Sequence, residues 1–396
     1  LIGSFEAVEQ LRPQWDELYG RCERATPFQS PAWLLPWARH FAPDRLCAVA
    51  VRERGHGELV AFLPFFTWRN RVLLAGCGPT DYCDGLFSSS AAGTADEALA
   101  TLVDYAEHVG CECVDLQQLA SQSPLLAART PERWRSEVCD GAACPVTRLG
   151  DGDALEAISP KWRKNVVKAR RKLRSVTAFT LECASQELFN GAADELMRLH
   201  AARWNRRDEG GVFADPLMRG FLASALPELS AAGLLRLHTL HADARLIAIL
   251  LGVHHGPMTC FYIGGFDPQW SAYSPGTITL ESAMVQAARD GAVEFHFLRG
   301  CEGYKYHFGA QDRPTFNRML VRAGSQLLRE QVLVDGIALV GDDGTLGAAE
   351  PIPEALVEAA RLGVVHLHTD FHASGSLRLG HALNRADQPG SDPGAL

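Results

Sequence analysis

The chain has 396 residues, 47% of them hydrophobic, and a formal net charge of −9. That length can hold two domain-sized cores, and one compact core is not expected. No run of about 18 apolar residues occurs, so a spanning helix is not expected, and the first residues carry no readable signal peptide. Eleven cysteines without a CxxC pair point to reduced thiols in a cytoplasm and away from a disulfide scaffold or zinc ribbon.

Taken in order, residues 46–51, 58–67 and 72–74 are strand candidates joined by turns at Gly55 to Gly57 and around Asn70. A helix is predicted over 95–109, with Leu99, Leu102, Val103, Ala106 and Val109 on one face. Gly110 stops it, and 111–116 returns as a strand. The same order recurs later. Residues 234–240, 246–253 and 259–263 read as a three-strand meander, and a helix follows with Leu280, Met284, Ala287 and Ala288 on one face. Gly291 ends that helix, and 293–298 reads as a returning strand. Two similar α/β halves follow from this repeat. Their helix starts share Gly93-Thr94 and Gly276-Thr277.

The second helix start is the one suited to chemistry. Ser274 is expected as N-cap and Pro275 as the first helical residue, which leaves the amides of Gly276 and Thr277 without intrahelical partners. Such a start binds anions, and Gly276 lets a phosphate approach closely. The same residues also make an ordinary turn. The first half lacks the Tyr-Ser-Pro lead-in and is the weaker candidate.

Between the halves, residues 161–174 (KWRKNVVKARRKLR) hold eight Lys or Arg and no acid. Ser159 and Pro160 can start a helix here, with Trp162, Val166, Ala169 and Leu173 along one side. The remaining face is cationic. It is either solvated or a grip on a polyanion: nucleotide, pyrophosphate-linked sugar, transfer RNA or anionic lipid head groups. After a helix predicted over 187–202, Arg203 to Arg207 add a second basic cluster.

Three motifs in order, SPKWRKNVVKARRKL, GGFDPQWSAYSPGTITLESAM and EFHFLRGCEGYKYHFG, resemble the acyltransferases related to the cellulose-biosynthesis protein CelD. That family lies in the GNAT superfamily and is distantly related to the FemAB peptidoglycan aminoacyl ligases, which also carry two GNAT-like halves. The match is good from Ser159 to Arg322 and looser from Phe5 to Leu149. The resemblance implies an α/β (α+β) fold of two tandem GNAT-like domains, each a mixed, mostly antiparallel sheet flanked by helices. Residues 1–150 and 151–330 are the two domains, and 331–396 is a variable extension with a disordered end.

The activity implied is transfer of an acyl group from acyl-coenzyme A, acetyl-coenzyme A above all, to an amine or hydroxyl of a sugar or polysaccharide precursor. The amides around Ser274, Gly276 and Thr277 take the place that holds the coenzyme pyrophosphate. The usual glycine-rich pattern with Arg or Gln ahead of it is absent. FemAB ligases share that shortened pattern and use aminoacyl-tRNA, so a tRNA-dependent ligase acting on a cell-wall precursor is the alternative, and a catalytically silent binding module is another.

Acyl transfer needs a base for the acceptor, donors for the oxyanion and an acid for the leaving group. A tyrosine after the last strand often serves as the acid in GNAT enzymes, a place open here to Tyr306 or Tyr304; either is equally readable as an aromatic anchor. Asp267 is a candidate base or sugar ligand, or the start of an Asp-Pro turn. Glu302 is the other carboxylate in reach. Arg163, Lys164, Lys168, Arg171, Arg299 and Lys305 are the candidate polyanion ligands, while His296 is expected to face a neighbour. His366, His368 and His372 lack a fourth ligand at metal spacing, and no metal is expected. A cytoplasmic protein with peripheral contact to membrane or a polysaccharide synthase fits this reading.

Overall fold

A computed structural model describes residues 1–89, 93–150, 153–183, 191–204 and 211–325. The extension 331–396, the three histidines within it, and Asn205, Arg206 and Arg207 lie outside the described residues. The chain opens with three helices, α1 (Phe5–Gln10), α2 (Arg12–Arg21) and α3 (Pro31–Phe41). Then come β1 (Leu46–Arg52), β2 (Leu59–Trp68), β3 (Arg71–Leu74), β4 (Leu86–Phe87), α4 (Thr94–His108), β5 (Cys113–Ala120), α5 (Pro124–Ala127), β6 (Trp134–Asp140) and β7 (Cys144–Arg148). The second half runs α6 (Pro160–Arg174), β8 (Phe179–Cys183), α7 (Ala192–Trp204), α8 (Pro216–Ala231), β9 (Leu235–Ala242), β10 (Arg245–His255) and β11 (Met258–Phe266). It ends with α9 (Pro275–Arg289), β12 (Glu294–His296), α10 (Gly303–His307), β13 (Gln311–Arg313) and β14 (Thr315–Arg322).

The repeat expected from sequence is present as topology. In the first half β1, β2 and β3 form an antiparallel meander, α4 crosses over, and β5 returns parallel to β3. In the second, β9, β10 and β11 form the meander, α9 crosses over, and β12 returns parallel to β11. The glycines read as helix stops adopt the left-handed conformation that ends a helix without a Cβ clash, Gly110 at φ 76° and Gly291 at φ 90°. The returning strand of the second half is shorter than its apolar run: only Glu294–His296 pairs, because the chain turns away after His296.

The two sheets do not part at residue 150. Their orders are β1-β2-β3-β5-β14-β6, with β4 beside β2, and β13-β7-β12-β11-β10-β9-β8. β7, from the first half, lies between β12 and β13 of the second sheet. β14, from the end of the second half, lies between β5 and β6 of the first. Each half thus lends one interior strand to the other.

The cores are continuous as well. Trp15, Trp33, Trp37, Phe28 and Phe62 share one cluster with Leu199, Phe221, Leu222 and Leu251. The Trp33 ring meets Phe221 edge-on at 5.0 Å, joining α3 to α8 across the halves. On the other side of the second sheet, α9 buries Ile278, Leu280, Ala283, Met284 and Ala287.

A close helix-to-sheet contact is at Gly265 on β11, where an added Cβ would stand 2.4 Å from the backbone nitrogen of His200 on α7. Backbone cannot yield as a flexible side chain does. Gly265→Ala is therefore expected to cost about 1–3 kcal/mol, read as a lower urea midpoint with unchanged slope. An unchanged midpoint would show that α7 is free to move off the sheet.

Candidate functional site

β11 and β12 pair over three residues, Met258 to Cys260 against Glu294 to His296, and then separate. The cause is local. Opposite β10, Leu251 faces Ile263 while Gly252 faces Phe261, so Tyr262 is an extra residue that bends β11 where it leaves its neighbour. On the other wall the chain turns through Leu298 at φ 59° and Gly300 at φ 103°. Among the described residues, the β11 edge from Phe261 to Gly265 therefore has no strand partner on that side.

At the far end of this slot stands the start of α9. Asp267 begins a 3-10 turn, Pro268–Tyr273, and Ser274 passes into the helix. The expected side-chain cap is not formed: Ser274 is left-handed (φ 52°, ψ 53°) because it also ends the preceding turn, and its hydroxyl makes no capping bond. The first bond of the helix runs from the Ile278 N–H to the Ser274 carbonyl, 3.2 Å. The amides of Gly276 and Thr277 precede it, as the sequence predicted. A Cβ on Gly276 would meet only the Phe266 ring, at 3.5 Å from Cδ1 and 3.9 Å from Cε1. The fold does not require this glycine.

Helix α6 reaches from one wall of the slot to the other. Ser159 caps it, accepting from the Trp162 N–H at 3.3 Å, and Val166 and Leu173 are buried along the predicted stripe. Trp162 stacks on His307 of α10 with ring centroids 4.4 Å apart. Toward the other end, Lys172 Nζ donates to the Ala272 carbonyl at 2.9 Å and lies over the Tyr273 ring, and Arg170 pairs with Glu281 of α9. Lys164, Lys168 and Arg171 are exposed, as a cationic face requires. Arg163 is not part of that face, because Asp153 pairs with it and Nε donates to the Ile158 carbonyl at 3.1 Å.

The loop after β12 departs furthest from expectation. Lys305, read as a polyanion ligand, is 2% exposed. Its Nζ donates to the carbonyls of Leu298, Arg299 and Gly300 at 3.3, 2.7 and 3.0 Å and pairs with Glu302 at 2.8 Å. It clamps the turn that opens the slot. Glu302 is bound to that clamp and is no free base. Arg299 pairs with Asp81 of the first half and donates from Nη2 to the Gly78 carbonyl at 2.7 Å. Asp267 is likewise committed: Oδ1 accepts from the Gln269 amide at 3.0 Å and Oδ2 from Arg245 at 2.7 Å, which makes it the turn residue of the alternative reading.

The two tyrosines differ. Tyr306 is on the surface, where desolvation and the 2.7 Å hydrogen bond to Asp312 Oδ1 raise its phenol above the ordinary value. Tyr304 is half-buried beside Phe297, in the apolar cluster that also receives Phe261 from the free edge of β11. Of the two, Tyr304 shares surroundings with the slot.

Sequence reasoning missed the contribution of the first half, residues 76–85. From this loop Pro79 accepts a hydrogen bond from Tyr262 at 3.0 Å, Asp81 holds Arg299, and the Tyr82 hydroxyl meets His296 Nδ1 at 2.9 Å. The other ring nitrogen of His296 contacts Glu294 at 3.1 Å, and Arg313 grips Glu294 through two bonds of 2.7 and 2.6 Å. That fork holds the Glu294 carboxyl well below the usual range, and burial lowers the His296 imidazole. The available signal was the run GCGPTDYCDG, where turn residues carry two aspartates and a tyrosine out of an apolar meander.

Residues 160–306 match the family described as acetyltransferase (GNAT) domain. No curated protein matches the chain in sequence. Among solved structures, the C-terminal domain of an Agrobacterium fabrum protein assigned as a lysylphosphatidylglycerol synthetase is 11% identical with a TM-score of 0.58, over 86% of this chain and 99% of that one. FemX is 11% identical with a TM-score of 0.57, over 78% and 95%. L-PGS from Bacillus licheniformis is 11% identical with a TM-score of 0.54, over 82% and 95%. At these identities the likeness is one of fold. The architecture is two GNAT-like halves in tandem, each a mixed sheet flanked by helices.

Lys305→Met removes the donor to three carbonyls while keeping most of the buried volume. Leaving those acceptors unsatisfied is expected to cost about 1–3 kcal/mol, seen in chemical unfolding. A variant as stable as the parent would mean the slot wall holds without its clamp.

Proposed function

We propose that the chain is a GNAT-type N- or O-acyltransferase that uses acyl-coenzyme A, with acetyl-coenzyme A the first candidate, on a sugar or polysaccharide precursor of the cell surface. The observation that supports this most is the slot itself, a strand edge left unpaired from Phe261 to Gly265 and leading to the open first turn of α9. A donor with amides along an extended arm can pair with such an edge as an added strand does. Its phosphates then lie against the Gly276 and Thr277 amides, beside the Ser274 hydroxyl. The coenzyme has both features. The exposed cations of α6, a helix packed against α9 through Arg170 and Glu281, add favourable long-range potential.

Acyl-coenzyme A supplies an activated thioester. The chain has to orient it, exclude water and return a proton to the departing sulfur. Tyr304 is assigned that proton, on its place in the apolar cluster with Phe261; Tyr306 remains the second candidate. A sugar-type acceptor is drawn from the resemblance to the CelD-related acyltransferases.

A second reading, an aminoacyl-tRNA-dependent ligase, is favoured by the exposed Lys164, Lys168 and Arg171, which suit a phosphodiester backbone. Thermal shift with acetyl-coenzyme A, a longer acyl-coenzyme A and a charged tRNA separates the two. Stabilisation of about 2.7 kcal/mol is expected at a hundredfold excess over Kd for the true donor. Silence toward every coenzyme A ester would sink the first reading.

Gly276→Val should weaken donor binding at least about tenfold, or roughly 1.4 kcal/mol, with little change in thermal midpoint, since the fold leaves space there. Unchanged affinity would remove the helix start from the site. Neutralising Lys164, Lys168 and Arg171 together should weaken anionic-ligand binding and flatten its dependence on salt. An unaltered salt slope would return that face to solvent.

A further inference from the structure

Outside the slot, a cleft of about 160 Å³ opens between the halves. At about 30 Å³ per water this is room for roughly five waters, or one small polar group with its nearest atoms. Phe87 and Pro124 of the first half and Met258 of the second supply its apolar wall. Tyr82 and His296 form its inner end, and His296 is the last residue of β12 still paired with β11, so the cleft abuts the closed end of the slot.

Its charges are unequally satisfied. Glu294 is held by Arg313 and His296. Glu23 and Arg24 are exposed at the mouth, and Cys22 is buried beside them. Asp84 is different. Its carboxylate takes the Gly85 amide at 2.8 Å and a hydrogen bond from Ser123, both neutral donors, and Arg24 adds an attraction smaller than either without forming an ion pair. Among the described residues no ion pair includes Asp84, although the second half brings Arg313 and His296 to the same cleft. Desolvation pushes its carboxyl up to about 7. A half-buried carboxylate with neutral hydrogen-bond partners at a cavity is stabilised by a cation entering that cavity. Among the described residues no three His, Cys, Asp or Glu converge on a metal-sized site, which leaves an organic cation as the fitting occupant.

We propose that this cleft is the acceptor pocket and that it receives a primary amine, bound as an ammonium ion against Asp84, with Ser123 and Gln122 at hand for neighbouring hydroxyl groups. The assignment as acceptor rests on the acyltransferase reading, and it selects an amine over a hydroxyl as the group acylated: the ammonium gives one proton to Asp84, the free amine attacks the thioester carbonyl as the C–S bond breaks, and the thiolate takes the Tyr304 proton, which the new amide nitrogen replaces. The binding itself does not depend on that reading.

The test uses the full chain with ethanolamine as probe and ethylene glycol as its neutral counterpart, with affinity followed by ligand-observed NMR. Ethanolamine should bind at least tenfold more tightly than the glycol at pH 8. Because Asp84 must be ionised and the amine protonated, affinity should be flat between about pH 7 and pH 9 and fall up to tenfold per pH unit below about 7. Asp84→Asn keeps an acceptor for the Gly85 amide; it should lose the preference for the amine and the pH dependence while binding acetyl-coenzyme A as the parent does. Equal binding of amine and glycol by the parent protein overturns the proposal, whatever the variant's stability. So does a variant that retains the parent's amine affinity. Amine binding at Asp84 without any response to a coenzyme A ester would keep the pocket and discard the donor assignment.

Discussion

The structure depends on the reciprocal loan of strands between its halves. β14 pairs with β5 on one edge and β6 on the other, and β7 does the same between β12 and β13. An interior strand is held by hydrogen bonds on both sides, so neither sheet is complete without the other half of the chain. Two consequences follow. The halves share a single large aromatic core across α3 and α8, and relative domain motion, the default for a small polar interface, is opposed here by backbone pairing. The loop 76–85 is thereby fixed against the second half, where Tyr82, Asp81 and Pro79 meet His296, Arg299 and Tyr262.

The slot is built from that rigidity. A bulge at Tyr262 bends one wall, and positive backbone angles at Leu298 and Gly300 bend the other. Both are costly conformations held by buried groups, the Tyr262 hydroxyl on Pro79 and the Lys305 ammonium on three carbonyls. Polar atoms that a sequence offers as chemistry are spent here on architecture. What remains uncommitted is backbone: the β11 edge and the first amides of α9. A site made of backbone amides can hold a phosphate-bearing, amide-bearing donor without any one distinctive side chain, which accords with the weakness of its sequence signature.

Much of the fold was legible because its signals are local. The stripe of Val166 and Leu173, the stops at Gly110 and Gly291 and the Pro275 start each depend on residues within a turn or two, and each appears where expected. The exchanged strands were not legible. Nothing within CPVTR tells β7 which sheet it joins, since its partners Glu294 to His296 lie some 150 residues away in sequence. Charge was half legible in the same way. The eight cations of α6 were visible, but Arg163 and Arg170 are neutralised by Asp153 and Glu281, one from a preceding loop and one from another helix. Lys305 was misread for the same reason, and of the two readings open for Asp267 the fold selects the Asp-Pro turn: a sequence shows that a charge exists, and only the fold shows what it already holds.

Two aspartates three residues apart make the distinction concrete. Asp81 and Asp84 sit in the same loop and both face the second half. Asp81 meets a guanidinium that the strand exchange has fixed in place, and the pair joins the halves. Asp84 meets a cavity, where its partners are a serine and an amide, and desolvation raises its carboxyl. One carboxylate has been used to assemble the protein. The other has neutral hydrogen-bond partners and no ion pair among the described residues, at the edge of a cleft, which is the condition under which a side chain acts on something other than its own fold.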